Sequence, residues 1–319
     1  MRVLIAGVTG FVGCHLAELA VAEGDQVFGC SRHVRGGAEL RSLPPQVELS
    51  RCDLQDAEAV RHYIEQVRPE RVYHLAGMSN PGQCLQDASE ALRQNYDTTR
   101  NLYEALAQCG ARTKVLFVSS SYVYGNPDPG DLPLKESAPL RGRGHPYTDS
   151  KLKAEQLMDD YDDVGLEVVC VRSFNNAGPR QKVHLIAEWA RQIARIEAGS
   201  AKPELHHGNL DVRRDWTDVR DVVRAYRLLL AKAEAGQVFN LGSGIARSAR
   251  DVLDGLLGLA RVAVSPVADP QLARPHDAPE IVADASRLRA VTGWKPEIDF
   301  QKTLRDTLDD WREREGALR

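Results

Sequence analysis

Over its first half the chain alternates short apolar runs with helix-like stretches. Val3, Leu4, Ile5 and Ala6 are consecutive apolar residues, the pattern of a strand buried on both faces of a parallel sheet. Glycines follow at 7, 10 and 13. Residues 14–24 then predict a helix with Leu16, Leu19 and Ala20 on one side and Gly24 as its stop. The same rhythm predicts strands at 26–30, 47–52, 71–76, 115–119 and 166–171. Helices are predicted at 57–67, closed by Pro69, at about 88–109 before Gly110, and at 147–161. Strands alternating with helices in this way specify an α/β fold, a doubly wound parallel sheet with helices on both faces.

After Arg172 the rhythm changes. Residues 173–180 are polar and carry Asn175, Asn176, Gly178 and Pro179. A helix is predicted at about 185–198 and one more strand at 237–241, and Ser248 would cap a helix beginning near Arg250. The C-terminal third reads as shorter elements and many loops. The expected organisation is a dinucleotide-binding domain over 1–172 with a return segment near 212–245. A smaller C-terminal substrate-binding domain, from 173–211 and 246–319, would cover the carboxyl ends of the sheet, where ligands bind in open α/β folds.

Composition narrows the class. Of 319 residues, 43% are apolar and 27% charged, as in soluble globular proteins. The net charge of −4 gives no electrostatic case for nucleic acid or an anionic membrane. No apolar run approaches the roughly 20 residues that span a bilayer. The first apolar run is too short for a secretory signal. Six scattered cysteines without a Cys-x-x-Cys pair imply a reduced, cytoplasmic setting with neither disulfides nor a metal site.

Three groups of residues carry candidate chemistry. Strand, glycine turn and helix in that order form a phosphate cradle. Gly7, Gly10, Phe11, Val12 and Gly13 would bring the backbone close to a pyrophosphate at a helix N-terminus. At the end of the second strand, where a carboxylate would grip a ribose 2′-hydroxyl, the chain has Ser31 and Arg32. A cation there suits a 2′-phosphate, so NADP(H) is expected ahead of NAD(H). Tyr147 and Lys151 stand four apart on one helix face, where the ammonium would lower the phenol pKa and fit it for proton exchange. Ser119, Ser120 and Ser121 end the fifth strand on the same edge of the sheet.

Gly7-x-x-Gly10-x-x-Gly13, the serine run and Tyr147-x-x-x-Lys151 together resemble the extended short-chain dehydrogenases/reductases, a Rossmann-fold family, over nearly the whole chain. The resemblance selects Ser120, four residues before the tyrosine of Tyr124-Gly125, as the third catalytic residue beside Tyr147 and Lys151. It implies that Asp53 and Leu54 hold the adenine and that Leu75, Ala76 and Gly77 form a second cofactor loop. It adds Asn95, and also Tyr147 and Lys151, to the cofactor site. Dehydratases of the family carry a glutamate where this chain has Tyr122, so elimination is not expected. Hydride transfer remains, as reduction or within an epimerase.

The runs 172–181, 208–221, 274–277 and 292–296 are similar to family members that act on GDP-sugars, most of all the reductases of GDP-4-keto-6-deoxy-D-mannose. The resemblance implies Ser121, Asn175, Arg180, Arg214 and Arg274 as substrate residues, with Arg214 and Arg274 at the diphosphate and Arg213 in a structural ion pair. The implied reaction is NADPH-dependent formation of GDP-D-rhamnose by a homodimer joined through its long helices. The alternative is a nucleotide-sugar 4-epimerase with tightly bound NAD.

Overall fold

A computed structural model describes residues 1–32, 43–110, 112–162, 165–272 and 278–317. Seven parallel strands form the main sheet: β1 (Arg2–Ala6), β2 (Gln26–Ser31), β3 (Glu48–Arg51), β4 (Arg71–His74), β5 (Lys114–Ser120), β6 (Glu167–Ser173) and β10 (Val238–Leu241). Their order is β10-β6-β5-β4-β1-β2-β3. The order reverses at β1, so the connections to β2 and β4 leave in opposite directions and open a crevice at the carboxyl edge. Ala6 is in register with both Cys30 and His74, and Ser120 with Ser173, which brings the strand ends level along that edge.

Alternation along β1 explains the two layers. Val3 and Ile5 join one core with α1 (Phe11–Ala22) and α8 (Val219–Lys232). Leu4 and Ala6 join the other with α2 (Ala57–Val67), α5 (Thr98–Cys109) and α6 (Pro146–Asp162). Short helices α3 (Pro81–Gln86) and α4 (Ala88–Leu92) lead into α5 through a π-helical turn, Arg93–Asp97, so the helix expected over 88–109 is interrupted. α1 begins at Phe11, three residues before the expected start, because Gly10 is already its N-cap.

The remaining chain caps the crevice. β7 (Asn175–Ala177), β9 (Arg213–Asp218), β11 (Ala246–Ser248) and β13 (Glu280–Ile281) form a small sheet, and β8 (Glu204–His207) pairs with β12 (Ser265–Ala268). α7 (Leu185–Glu197), α9 (Ala249–Leu257) and α11 (Phe300–Ala317) pack with Trp189, Trp216 and Trp311 into a third core. Ser248 caps α9 in a reciprocal box with Asp251, as its position implied.

Two boundaries differ from expectation. The return to the large sheet comprises α8 and β10, whereas Arg213–Asp218 belongs to the small sheet. Leu288, in α10 (Ser286–Thr292), and Trp294 pack into the α1–α8 core, so the last third is shared between both lobes. The C-terminal third, where shorter elements and many loops were expected, also ends in an eighteen-residue helix, α11. The buried Asp215 carboxylate accepts from Ser243 N (2.7 Å), Gly244 N (2.9 Å) and Ala283 N (3.2 Å), pinning two returning segments to β9 at one point.

The glycine turn is the tightest point of the fold. Gly7 has φ +91°, and a Cβ on Gly13 would overlap the Gly7 carbonyl oxygen and sit 2.8 Å from Val8 Cα. Backbone atoms cannot yield as a flexible side chain does. Gly13→Ala is therefore expected to cost about 3 kcal/mol of stability and to abolish dinucleotide binding, measured by thermal denaturation and cofactor titration.

Candidate active site

A cavity of about 1400 Å³ runs along the carboxyl edge of the large sheet, roofed by the small one. The glycine turn forms one end. Gly10 N donates to Gly7 O (3.0 Å), closing the turn, and α1 starts there with no acidic side chain in its first turn. Its first N–H groups have no partner within the helix and face the cavity beside Phe11 and Val12. This cradle fits a pyrophosphate.

β2 continues through Ser31, and Ser31 and exposed Arg32 line the cavity next to Asp53 and buried Leu54. Leu75, Ala76 and Gly77 form the adjoining wall. Asn95 does not line the cavity, in contrast to the expectation that it binds cofactor. It is buried behind that wall: its Oδ1 accepts from Met78 N (2.9 Å), and its Nδ2 donates to Met78 O (3.1 Å) and Ser150 Oγ (2.9 Å). It thus fastens the 75–78 loop to helix α6. A Cβ at Gly77 would overlap Asn95 Oδ1, so this clamp needs glycine in the loop.

The three proposed catalytic side chains meet where β5 ends against α6. Ser120 lies at the strand end, with its hydroxyl beside the Tyr147 phenol. Tyr147 is buried and packs edge-on against Tyr122, with ring centroids 5.8 Å apart. Lys151 Nζ donates to Val118 O (3.0 Å) and stands 5.3 Å from the Phe117 ring centroid. Burial pushes the Tyr147 phenol up to about 12, partly opposed by the neighbouring Ser120 hydroxyl. The expected lowering by Lys151 is absent: the ammonium is turned to Val118, and desolvation dominates. Burial also brings Lys151 down to about 8, against the opposing influence of Cys170, Glu155 and Cys84.

Glu155, the next helical position after Lys151, was not singled out in the sequence. Its carboxylate is buried with the Arg172 guanidinium (2.8 Å) and accepts from Ser119 Oγ. Arg172 also donates to Tyr124 Oη (3.1 Å). The pair locks α6 to the ends of β5 and β6, and hence holds Tyr147 and Lys151 over Ser120. The signal was the spacing 147-151-155, one turn longer than the motif.

The cavity is also lined by Ser121, next to Ser120, by Asn175 on β7 and by Arg214 on β9. Arg214 Nη1 donates to Arg213 O and Ala278 O (both 2.8 Å), which fixes the guanidinium at the cavity. Arg213 pairs with Glu280 (2.9 Å), the structural role implied for it. Arg180 is also expected among the substrate residues. It borders the cavity, but its guanidinium is held by Glu18 (2.9 Å) and His15 Nδ1 (3.0 Å) on α1. This contact ties the 178–181 turn to α1. Arg274 lies outside the described residues. Among the described residues no group of His, Cys, Asp and Glu could hold a metal ion, and no helix is long and apolar enough to cross a membrane.

Comparison with known proteins gives a consistent picture. Residues 4–307 match the model of the GDP-mannose 4,6 dehydratase family. The chain is 35% identical over 315 residues to GDP-6-deoxy-D-mannose reductase from Pseudomonas aeruginosa, covering 98% of each chain. The solved structure of RMD from Pseudomonas aeruginosa complexed with NADPH superimposes with a TM-score of 0.86 at 33% identity, covering 98% of this chain and all of that one. UDP-glucose 4-epimerase from Thermus thermophilus, in complex with NAD, is also similar: TM-score 0.85 and 30% identity, over 98% of this chain and 99% of that one.

The Lys151 pKa carries a sign. Because the folded value of about 8 lies below the unfolded 10.5, burying the ammonium costs stability below pH 8. The cost is relieved as pH rises from about 8 toward 10.5. In the cofactor-free protein, Lys151→Met should therefore unfold later than the wild type at pH 7, by about 2–3 kcal/mol. The difference between the two chains should shrink above pH 8, as read by paired urea titrations.

Proposed function

The chain belongs to the GDP-mannose 4,6 dehydratase family of extended short-chain dehydrogenases/reductases, and from that membership we propose that it reduces the 4-keto group of GDP-4-keto-6-deoxy-D-mannose with NADPH, yielding GDP-D-rhamnose. That it is an NAD(P)-dependent oxidoreductase follows from the family. The observation that carries the finer reading is the wall around Tyr147. The strand end bearing Ser120 contributes Ser121 and Tyr122 to the cavity and no carboxylate. A site with a phenol, a serine and a lysine but no acid on that segment suits hydride transfer without elimination.

The cofactor, when bound, supplies a hydride to the sugar C4. Tyr147 donates its hydroxyl proton to O4 as negative charge develops there. Burial keeps this phenol protonated at neutral pH, the state that a proton donor needs and a base in the oxidative direction does not have. Ser120 orients the same oxygen through its hydroxyl. Lys151 would hold the nicotinamide ribose and add positive charge near the developing alkoxide. The cradle of Gly7, Gly10 and Gly13 would take the pyrophosphate, and Ser31 and Arg32 support NADPH over NADH. Arg214 would bind the sugar diphosphate with Asn175 beside it. The GDP moiety and the sugar are supported by the Pseudomonas relative's name.

Tyr147→Phe removes the proton donor and leaves the cradle untouched. It should lower kcat by about 10³-fold or more while the Kd for NADPH changes less than threefold; unchanged turnover refutes the assignment. Absorbance at 340 nm with a panel of 4-keto nucleotide sugars tests the substrate. The expected result is stoichiometric NADPH consumption with the GDP-linked 6-deoxyhexulose and a lower KM for NADPH than for NADH. Protein that purifies with NAD and interconverts 4-epimers without net consumption would establish the epimerase instead.

A further inference from the structure

Among the described residues, two buried polar side-chain atoms in the cavity wall are left without partners. Tyr226, on α8, is fully buried, and its hydroxyl lies beside Ser173 and Asn176 yet makes no hydrogen bond of good geometry. Gln181 is 4% exposed, and its Oε1 has no donor. The Gln181 amide cannot be turned round to cure this. Its Nε2 donates to Asn176 O (2.8 Å), an acceptor only, so the oxygen must face the other way. Both side chains line the same cavity and both adjoin Asn176, so the two orphans share one corner. Buried polar groups are nearly always paired in folded proteins, and an unpaired pair facing one cavity marks the shape of a missing partner.

The corner's place in the fold says which partner. Ser173 is in register with Ser120, and Tyr226 is close enough to Tyr147 for the two phenols to influence each other. Tyr226 also belongs to the α1 side of the sheet, packed in one core with Leu16 and Ala17. His15 of α1 bonds Pro179 O (3.0 Å), two residues before Gln181. The corner therefore lies between the pyrophosphate cradle and the reacting oxygen. The group that must occupy that interval is the nicotinamide, whose carboxamide presents one carbonyl acceptor and one NH₂ donor.

We propose that Tyr226 and Gln181 form the carboxamide subsite: the Tyr226 hydroxyl donates to the carboxamide oxygen, and Gln181 Oε1 accepts from its NH₂. Together they fix the rotation of the ring and so which face meets the sugar. The inference rests on a nicotinamide cofactor, not on the identity of the sugar. Its test uses cofactor alone, so it fails or stands separately from the proposed reaction.

Binding to the purified protein is measured by fluorescence and calorimetry, without sugar nucleotide. The probes are NADP⁺, its thionicotinamide analogue (a weaker acceptor), its 3-acetylpyridine analogue (no NH₂) and 2′,5′-ADP. The wild type should bind both analogues several-fold more weakly than NADP⁺. Tyr226→Phe should weaken NADP⁺ about tenfold and abolish discrimination against the thio analogue alone. Gln181→Met should abolish discrimination against the acetylpyridine analogue alone. Unchanged 2′,5′-ADP affinity would show that both variants keep the adenosine half intact. Equal wild-type affinity for all three dinucleotides overturns the proposal, whether or not the variants fold. So does NADP⁺ affinity unaffected by both substitutions, as when a water fills the corner, or an effect confined to the KM of the sugar nucleotide.

Discussion

The level carboxyl edge of seven parallel strands is the constraint on which the rest depends. Parallel pairing buries both faces of the sheet and consumes its backbone hydrogen bonds, so functional groups can emerge only where the strands stop. Ala6, Ser31, His74, Ser120, Ser173 and Leu241 end six of those strands. Beyond each of these ends the chain becomes a cavity wall or a support for one. The small sheet then has a single task, to carry Asn175 and Arg214 across the crevice, and Asp215 holds its converging segments together.

Charge inside this architecture is arranged by burial before it is arranged by pairing. Lys151 sits without a carboxylate in direct contact, and desolvation makes it a weaker base than a surface lysine. One turn on, Glu155 is fully compensated by Arg172 and Ser119. Such a pair adds little net stability over an apolar core, but a half-broken one is costly, so it defines one docking of α6 against β5 and β6. Tyr147 and Lys151 are thus held by a charged lock on one side of the helix and left under-solvated on the other.

The range of each interaction decides how far it can be read from residues alone. The apolar run of β1, the glycine spacing and the Ser248 cap are local, and the structure has them where the pattern placed them. α11 was legible in principle through Leu304, Leu308 and Trp311, but its charged remainder hides that sparse stripe. Arg180 finds Glu18 across 162 positions, and Asn95 finds Ser150 across 55; no neighbouring residue announces either partner. The Tyr147 pKa is a sum over everything that excludes water from it, which a motif does not contain.

The π-helical turn at Arg93–Asp97 makes Asn95 unusually sensitive to chain length. A wide turn holds one residue more than a regular one, so losing a single residue there would leave a better-formed helix. The flanking helices would keep their facing, because the wide turn alone absorbs the extra residue, and only the side chains inside the turn would be re-aimed. Asn95 would leave Met78 and Ser150 together, separating the 75–78 loop from α6 while improving the helix that carried it. Selection on such a lineage would act on insertions and deletions as sharply as on substitutions, and the irregular turn would persist as a record of that pressure.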